Sequence, residues 1–208
     1  MTAKALDRAV EAVARGAVIG IPTDTVYGIG ADARLPGASR RIFEVKGRPE
    51  SVALPVLIGE PGDAGALAEL DDRARRLIEH HWPGPLTLVL RRAPGVLLDL
   101  GGDPNTVGLR CPDHLVARAI LRRTGPLAVT SANPHGGAPA HTAAEVRDRL
   151  GPNVELVVDG GTCDGSPSTV ISLVSEEALV MREGALAGQA LLEELGGGAP
   201  FSATGPDR

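Results

Sequence analysis

The stretch Lys46-Gly47-Arg48-Pro49 marks the point where a helical pattern changes to an extended one, and it anchors the prediction of the fold. Residues 39–45 have the apolar spacing of a helix, which Gly47 ends. Pro49 favours extended geometry at Arg48, so we expect the Lys46 ammonium and the Arg48 guanidinium to point to the same side. Two such cations suit a polyphosphate. The same residues also fit a purely structural alternative, in which Lys46 complements the helix C-terminus and Arg48 is exposed to solvent.

On both sides of this junction, apolar runs alternate with amphipathic helical patterns, which predicts an α/β fold. The predicted strands are 17–21, 54–58, 86–90, 106–110, 127–130, 154–158, 170–174 and 179–181. The predicted helices are 3–15, 39–45, 114–123, 142–150 and 187–195, and a further helix that either Asp71 or Asp72 caps and that ends at Trp82.

The composition is that of one ordinary globular domain. The chain has 208 residues, 43% of them apolar, and a net charge of -5, whereas proteins that bind nucleic acid through its phosphates are usually basic. Cys111 and Cys163 are too few for a disulfide framework or a zinc quartet, which suits a reducing cytoplasm. Asp7 and Glu11 interrupt the first apolar stretch, and no apolar run reaches membrane-spanning length. We therefore expect a cytoplasmic protein.

Two of the predicted strands end in hydroxyl and amide side chains. Thr23 to Gly28 follows the strand at 17–21, and Ser131 and Asn133 follow the strand at 127–130. Ligands of open α/β sheets bind beyond the carboxyl ends of strands, which makes both clusters candidate binding segments. Capping and turn formation use the same residue types, so a purely structural role also fits.

The predicted strand at 106–110 has one apolar and one polar face. A period of two puts Val107 and Leu109 on one side. Thr106, Gly108 and Arg110 lie on the other, where Arg110 can fork onto a carboxylate or phosphate and Gly108 leaves room. The same alternation also fits an edge strand whose arginine is exposed to solvent, and this alternative remains open.

The run Gly28-Ile29-Gly30 matches part of a dinucleotide-binding fingerprint but lacks its context. That fingerprint requires a strand that turns directly into a helix, whereas six residues separate the predicted strand from Gly28. The sequence G-x-x-x-x-G-K-[ST] is absent from the chain, which excludes a conventional P-loop NTPase.

The helix predicted after Asp113 carries three arginines, Arg118, Arg122 and Arg123. We expect Asp113 to cap this helix and Leu115 to lie on its buried face. The arginines are typical of a solvated face that complements the helix dipole, although a nucleic-acid patch uses the same residue type.

Seven short stretches occur in a fixed order along the chain. They are Pro22-Thr-Asp-Thr-Val-Tyr-Gly-Ile-Gly30, Lys46-Gly-Arg-Pro49, Trp82-Pro-Gly-Pro-Leu-Thr87, Val107-Gly-Leu-Arg-Cys-Pro-Asp-His114, Ser131-Ala-Asn133, Pro167-Ser-Thr-Val170 and Arg182-Glu-Gly184. In this order they resemble the YrdC family, the threonylcarbamoyl-AMP synthases, over residues 5–185.

The resemblance implies a single-domain, YrdC-like twisted open mixed sheet flanked by helices, with a concave ligand cleft, over residues 1–195. Residues 196–208 are predicted to form a disordered tail. The implied reaction joins L-threonine, bicarbonate or CO2, and ATP into threonylcarbamoyl-AMP and pyrophosphate, for threonylcarbamoyladenosine modification of tRNA. Beyond these substrates, the expected partners are the proteins that transfer the threonylcarbamoyl group to tRNA, with weak RNA binding as an open alternative.

By the same resemblance, the site residues form two groups. Those expected to hold ATP are Lys46, Arg48, Thr106, Ser131, Asn133, His141 and Arg182. Those expected to hold threonine are Thr25, Arg110, Ser131 and Ser168, with Arg110 on the carboxylate. Lys46 and Arg48 are the expected catalytic pair. Charge develops on phosphate oxygens as pyrophosphate leaves, so cations, with a Mg²⁺ ion held mainly by the ATP phosphates, matter more than a protein nucleophile.

Three positions depart from the family pattern, and two other functions remain open. Val52 and Leu57 stand where many members have Asn and His, and His141 occupies a position that is often Thr. The first alternative is a protein that binds double-stranded RNA or assists ribosome maturation, and the second is a YrdC paralogue related to carbamoyltransferases. Retention of Lys46 and Arg48 together with the Ser131-Ala-Asn133 segment favours the synthase.

Overall fold

A computed structural model describes residues 2–134 and 136–196 of the chain. Its strands are β1 (Ile19–Ile21), β2 (Gly28–Asp32), β3 (Val56–Leu57), β4 (Leu86–Arg91), β5 (Thr106–Arg110), β6 (Leu127–Ser131), β7 (Leu156–Val157), β8 (Thr169–Ser172) and β9 (Leu179–Arg182). Its α-helices are α1 (Ala3–Ala14), α2 (Ala38–Lys46), α3 (Asp72–His81), α4 (Leu115–Thr124), α5 (Ala143–Leu150) and α6 (Gly188–Glu194).

The strands form one mixed sheet in the order β7-β1-β2-β6-β3-β5-β4-β8-β9. The pairs β1–β7, β3–β5 and β4–β8 are parallel, and the other neighbours are antiparallel. Because β5 lies between β3 and β4, the alternative that it is an edge strand is wrong. The predicted α/β class, the open mixed sheet and its flanking helices are confirmed.

Side-chain alternation along the strands separates two hydrophobic clusters, one on each face of the sheet. The larger cluster packs the sheet against α2, α3, α5 and α6, for example through Ile42, Leu77 and Leu191. The smaller cluster lies beneath α1 and α4 and includes Ile21 and Ile120. On this second face, we call β1, β3 and β6 the covered half. Among the described residues, β4, β5, β8 and β9 add nothing to the smaller cluster, and we call them the open half.

The predicted helix end at the Lys46 junction is confirmed. Gly47 caps α2 with a φ of 63°, a left-handed conformation that glycine adopts without strain. Its N–H donates to Glu44 O, and the Arg48 N–H donates to Phe43 O at 3.1 Å. The chain therefore leaves the helix at Arg48, as the sequence predicts.

The predicted start of α4 is wrong by one residue. His114, rather than Asp113, is the N-cap, and its side chain accepts a hydrogen bond from the Ala117 N–H. The residues that α4 buries are Ala117, Ile120 and Leu121, so the buried face is rotated by about one residue, or 100°, from the predicted one. Leu115, predicted to be buried, is 83% exposed.

The strand β2 has no counterpart among the predicted elements, because its sequence lacks a run of large apolar residues. A Cβ built on Gly28 or Gly30 would lie 2.7 or 2.8 Å from a methyl carbon of Val129. These two glycines therefore make room for the Val129 side chain. The rejection of a dinucleotide fingerprint agrees with this geometry, since the run lies within a strand.

The predicted tail, 196–208, lies outside the described residues except for Gly196. In the part of the chain that the structure describes, every helix is too short or too polar to cross a membrane.

Candidate active site

A cleft of about 330 Å³ opens where the covered half of the sheet meets the open half. Its walls come from the loop between β1 and β2, from the ends of β3, β5 and β6, and from the segment before β8. Seven of the ten predicted site residues line it: Thr25, Arg48, Arg110, Ser131, Asn133, Ser168 and Arg182.

Arg110 lies at the end of β5, and protein groups hold its guanidinium at each nitrogen. Nε donates to Gly84 O and Nη1 to Thr25 Oγ1, both at 3.0 Å, and Nη2 donates to Asp24 Oδ1 in a buried ion pair. Arg110 is 6% exposed, and burial lowers the pKa of its guanidinium while Asp24 opposes that shift. A guanidinium has five N–H donors, so two remain for a ligand. A bidentate carboxylate needs two donors.

Ser168 is tied to two strands of the open half. Its hydroxyl lies 2.8 Å from Thr87 Oγ1 and accepts a hydrogen bond from Arg182 Nη2 at 3.1 Å. Arg182 Nε and Nη2 also donate to Ser168 O, at 3.1 and 2.8 Å. Thr87 and Arg182 therefore fix the direction in which the Ser168 hydroxyl faces the cleft.

Lys46 lies behind the cleft lining and contacts the segment that follows β6. Nζ donates to Ser131 O at 2.7 Å and lies 3.4 Å from both Ser131 Oγ and Asn133 Oδ1. The residue is 5% exposed. Burial, together with a smaller effect of the nearby Arg48 charge, lowers the pKa of its ammonium to about 8. Lys46 thus joins the end of α2 to the two polar side chains at the cleft edge.

Three guanidinium groups, from Arg48, Arg110 and Arg182, surround the cleft. Arg48 donates to the carbonyl oxygens of Val52 and Ala53 at 3.3 and 3.5 Å, contacts that leave its positive charge uncompensated. Burial first, and then the charges of Arg110 and Arg48, lower the pKa of Arg182. The three positive charges repel one another, and a multiply charged anion in the cleft would relieve this repulsion.

Thr106 and His141 do not line this cleft. Thr106 Oγ1 donates to Asp103 O at 3.4 Å, beside a separate opening of about 470 Å³. The His141 Nδ1 atom lies 2.5 Å from Cys163 O, and the His141 backbone N–H donates to Glu145 Oε2 at 2.9 Å. Direct contact of either residue with a nucleotide requires the ligand to extend beyond the cleft.

The arginines of α4 do not add to the positive charge of the cleft. Arg118 and Arg122 both pair with Glu60, and Arg123 pairs with Asp7. Arg122 and Arg123 are exposed, as predicted, and Arg118 is partly buried; all three are ion-paired.

Two residues at the site, Asp24 and Thr87, are not among the predicted site residues, although both lie within the stretches that resemble the family. Asp24 contacts Arg110, which is distant in the chain, so the sequence does not indicate their pairing. Thr87 lies on β4, and its hydroxyl contacts Ser168. Leu57, one of the departures from the family pattern, lines the cleft and is 4% exposed, so it gives this wall an apolar surface.

The comparisons with known proteins agree with the geometry. The chain matches the sequence model of the Sua5/YciO/YrdC family, described as "Telomere recombination", over residues 11–184. A protein of Mycobacterium tuberculosis H37Rv is 40% identical over 190 residues, which are 90% of this chain and 88% of that protein. The threonylcarbamoyl-AMP synthase of Bacillus subtilis is 38% identical over 177 residues, 81% of this chain and 50% of that protein.

Among solved structures, Sua5 of Pyrococcus abyssi complexed with L-threonine superposes with a TM-score of 0.87 at 34% sequence identity. The match covers 93% of this chain and 58% of that one. The shared fold, the family model and the identity to full-length relatives lead to one conclusion: the chain belongs to the Sua5/YciO/YrdC family.

Proposed function

We propose that this chain is an L-threonylcarbamoyladenylate synthase, which forms threonylcarbamoyl-AMP and pyrophosphate from L-threonine, bicarbonate or CO2, and ATP. The observation that carries this proposal is the convergence of Arg48, Arg110 and Arg182 on one cleft, whose edge bears Ser131 and Asn133. A nucleotide triphosphate and an amino-acid carboxylate are the anions that three guanidiniums suit. The name of the Bacillus relative and the L-threonine in the Pyrococcus structure support the same substrates.

Arg110 holds the threonine carboxylate. Its contacts with Gly84, Thr25 and Asp24 fix the plane of the guanidinium and leave two N–H donors for the ligand. The hydroxyls of Thr25 and Ser168 lie on the same cleft and position the rest of the amino acid.

The chemical step needs charge stabilisation more than a protein nucleophile. The threonine amine adds to CO2 and loses a proton, which yields a carbamate. A carbamate oxygen then attacks the α-phosphorus of ATP, the bond to the bridging oxygen breaks, and pyrophosphate leaves. Arg48 and Arg182 stabilise the negative charge on the phosphate oxygens, and Lys46 orders the Ser131–Asn133 segment beside them.

A Mg²⁺ ion carried by the ATP phosphates fits the side chains around the cleft. Within residues 2–134 and 136–196, no three His, Cys, Asp or Glu side chains converge as a metal-binding cage. Asp24, beside the cleft, is paired with Arg110 through Oδ1, and its buried Oδ2 has no hydrogen-bond partner among the described residues. When bound through the phosphates, the ion adds positive charge near the leaving pyrophosphate.

The reaction is proposed to take place in the cytoplasm, which suits the two buried free thiols of Cys111 and Cys163. The product is then passed to the proteins that transfer the threonylcarbamoyl group to tRNA.

The test is pyrophosphate release by the purified chain with ATP, Mg²⁺, L-threonine and ¹³C-labelled bicarbonate, together with mass spectrometry of the nucleotide product. We expect labelled threonylcarbamoyl-AMP only when all substrates are present. Pyrophosphate release that ignores threonine and bicarbonate would contradict the proposal. Nanomolar, salt-insensitive binding of double-stranded RNA would instead favour the RNA-binding alternative.

A further inference from the structure

Gly108 lies on the cleft side of β5 between Thr106 and Arg110, and the backbone does not require a glycine there. It is not among the glycines with positive φ. The pairing of β5 with β4 runs through Gly108 and Val89 without a bulge. Glycine weakens the interior of a strand, so its presence at this position calls for another physical reason.

The space beside Gly108 is large enough for a methyl group without a clash. A Cβ built there would lie 3.6 Å from Pro55 Cβ and 3.7 Å from Thr87 Cγ2, which are ordinary van der Waals distances. Pro55 and Thr87 both line the cleft, and Gly108 between them is partly exposed. Alanine therefore fits the protein at this position, and its methyl group would occupy space that belongs to the cleft.

Two other sheet glycines show the opposite situation. A Cβ on Gly28 would meet a Val129 methyl carbon at 2.7 Å and Thr130 O at 3.2 Å, and a Cβ on Gly30 would meet Val129 at 2.8 Å. At those positions the protein itself fills the space. At Gly108 a methyl group would instead fit between Pro55 and Thr87, two residues that line the cleft.

We propose that Gly108 is a specificity-determining position whose missing side chain admits the nucleotide to the floor of the cleft; this inference rests on the proposed synthase function. Thr25 meets Arg110 from the loop between β1 and β2, so the amino acid lies at the carboxyl end of β5. Gly108 lies two residues back along the strand, toward Thr106. The part of the substrate above Gly108 is therefore the nucleotide and not the threonine.

The variant Gly108→Ala tests this assignment, with Gly62→Ala as the matched control. Gly62 lies in the 3-10 helix Pro61–Ala66, and a Cβ built there meets nothing within 4 Å. For Gly108→Ala we expect the KM for ATP to rise at least about tenfold, the scale of one superfluous methyl group in a fitted site. The KM for threonine should stay unchanged. The Tm should be equal or higher, because alanine restricts the unfolded chain and fits the folded one. Gly62→Ala should leave both KM values unchanged.

Three results would overturn the inference: an unchanged KM for ATP, a rise confined to the KM for threonine, or a Tm several degrees lower, which would show that the glycine serves packing. If the parent chain makes no threonylcarbamoyl-AMP, the proposed function fails by itself. Gly108 is then tested by calorimetric binding of ATP, where the Gly108→Ala Kd is expected to rise by the same factor and an equal Kd would refute the inference.

Discussion

The covered and open halves of one sheet face have the same alternation of side chains. In the covered half the apolar side chains on this face pack against helices, whereas in the open half Thr87 and Arg110 face the cleft. Leu57 of β3 and Arg110 of β5 are partners in the pairing register and point to the same face. Leu57 joins the apolar cluster beneath α1 and α4, whereas Arg110 turns its guanidinium toward the cleft. The boundary between packing and binding therefore lies between two adjacent strands.

This difference shows that burial has two sources in the molecule. In the covered half, apolar side chains are buried because helices exclude water from them. In the open half, Arg110 is buried because Asp24, Thr25 and Gly84 supply hydrogen-bond partners. Loss of an apolar side chain of the smaller cluster should thus affect stability, and loss of a charged side chain at the cleft should affect catalysis.

The largest expected effect is on stability in the covered half. Ile120 of α4 is fully buried in the smaller cluster, so Ile120→Ala should lower the free energy of unfolding by about 2 to 5 kcal/mol. Urea denaturation monitored by circular dichroism measures this change. The kcat of the folded fraction should remain near that of the parent, and a selective loss of kcat would break the proposed division between the halves.

At the cleft, Arg48→Ala should reduce kcat/KM by a factor that corresponds to about 2 to 4 kcal/mol of transition-state stabilisation, because one preorganised donor to the phosphates is lost. Steady-state pyrophosphate release measures the effect. The matched control is Arg123→Ala, which removes an exposed arginine paired with Asp7 and should change activity and stability by no more than about 0.5 kcal/mol. Equal activity in both variants would contradict the role of Arg48.

A smaller and more selective effect is expected at Arg110. Lysine keeps the charge but cannot donate to Gly84, Thr25 and Asp24 while also forking onto a carboxylate. Arg110→Lys should therefore raise the KM for threonine by an amount equivalent to about 1.5 to 3 kcal/mol, the scale of a hydrogen bond to a charged group. The KM for ATP should change far less. A raised KM for ATP with an unchanged KM for threonine would assign Arg110 to the phosphates.

The smallest effect is a pH dependence from Lys46, whose pKa burial lowers from 10.5 to about 8. The charged form predominates below pH 8, so kcat/KM for ATP should be constant there and fall about tenfold per unit at higher pH. The free energy of unfolding should change in the opposite direction. Between about pH 8 and 10.5 the unfolded state binds more protons than the folded state, so the contribution of Lys46 to the free energy of unfolding increases as the pH rises. Activity and thermal unfolding measured on both sides of pH 8 separate the two effects. If kcat/KM for ATP still falls above pH 8 in the Lys46→Arg variant, the fall is caused by the titration of another group.

Local features of the chain could be predicted from its sequence, because they depend on residues close to one another. Gly47 ends α2, and Thr142 caps α5 through the Glu145 N–H. Of the two candidates for the cap of α3, Asp71 and Asp72, Asp71 accepts the hydrogen bond from the Ala74 N–H. The alternation in β5 likewise follows from the geometry of a strand. The family motifs added the candidate site residues, seven of which line one cleft.

Only the tertiary structure decided which of these features meet and which face of the sheet stays open. The hydrogen bond between Thr87 and Ser168 joins residues 81 positions apart, and the Asp24–Arg110 pair spans 86 positions. Sequence periodicity predicts the face of the sheet on which a side chain lies, but it does not predict which distant residue that side chain contacts. Burial of the Lys46 ammonium and the space above Gly108 are set by neighbours from distant strands, because packing is a long-range property of the fold.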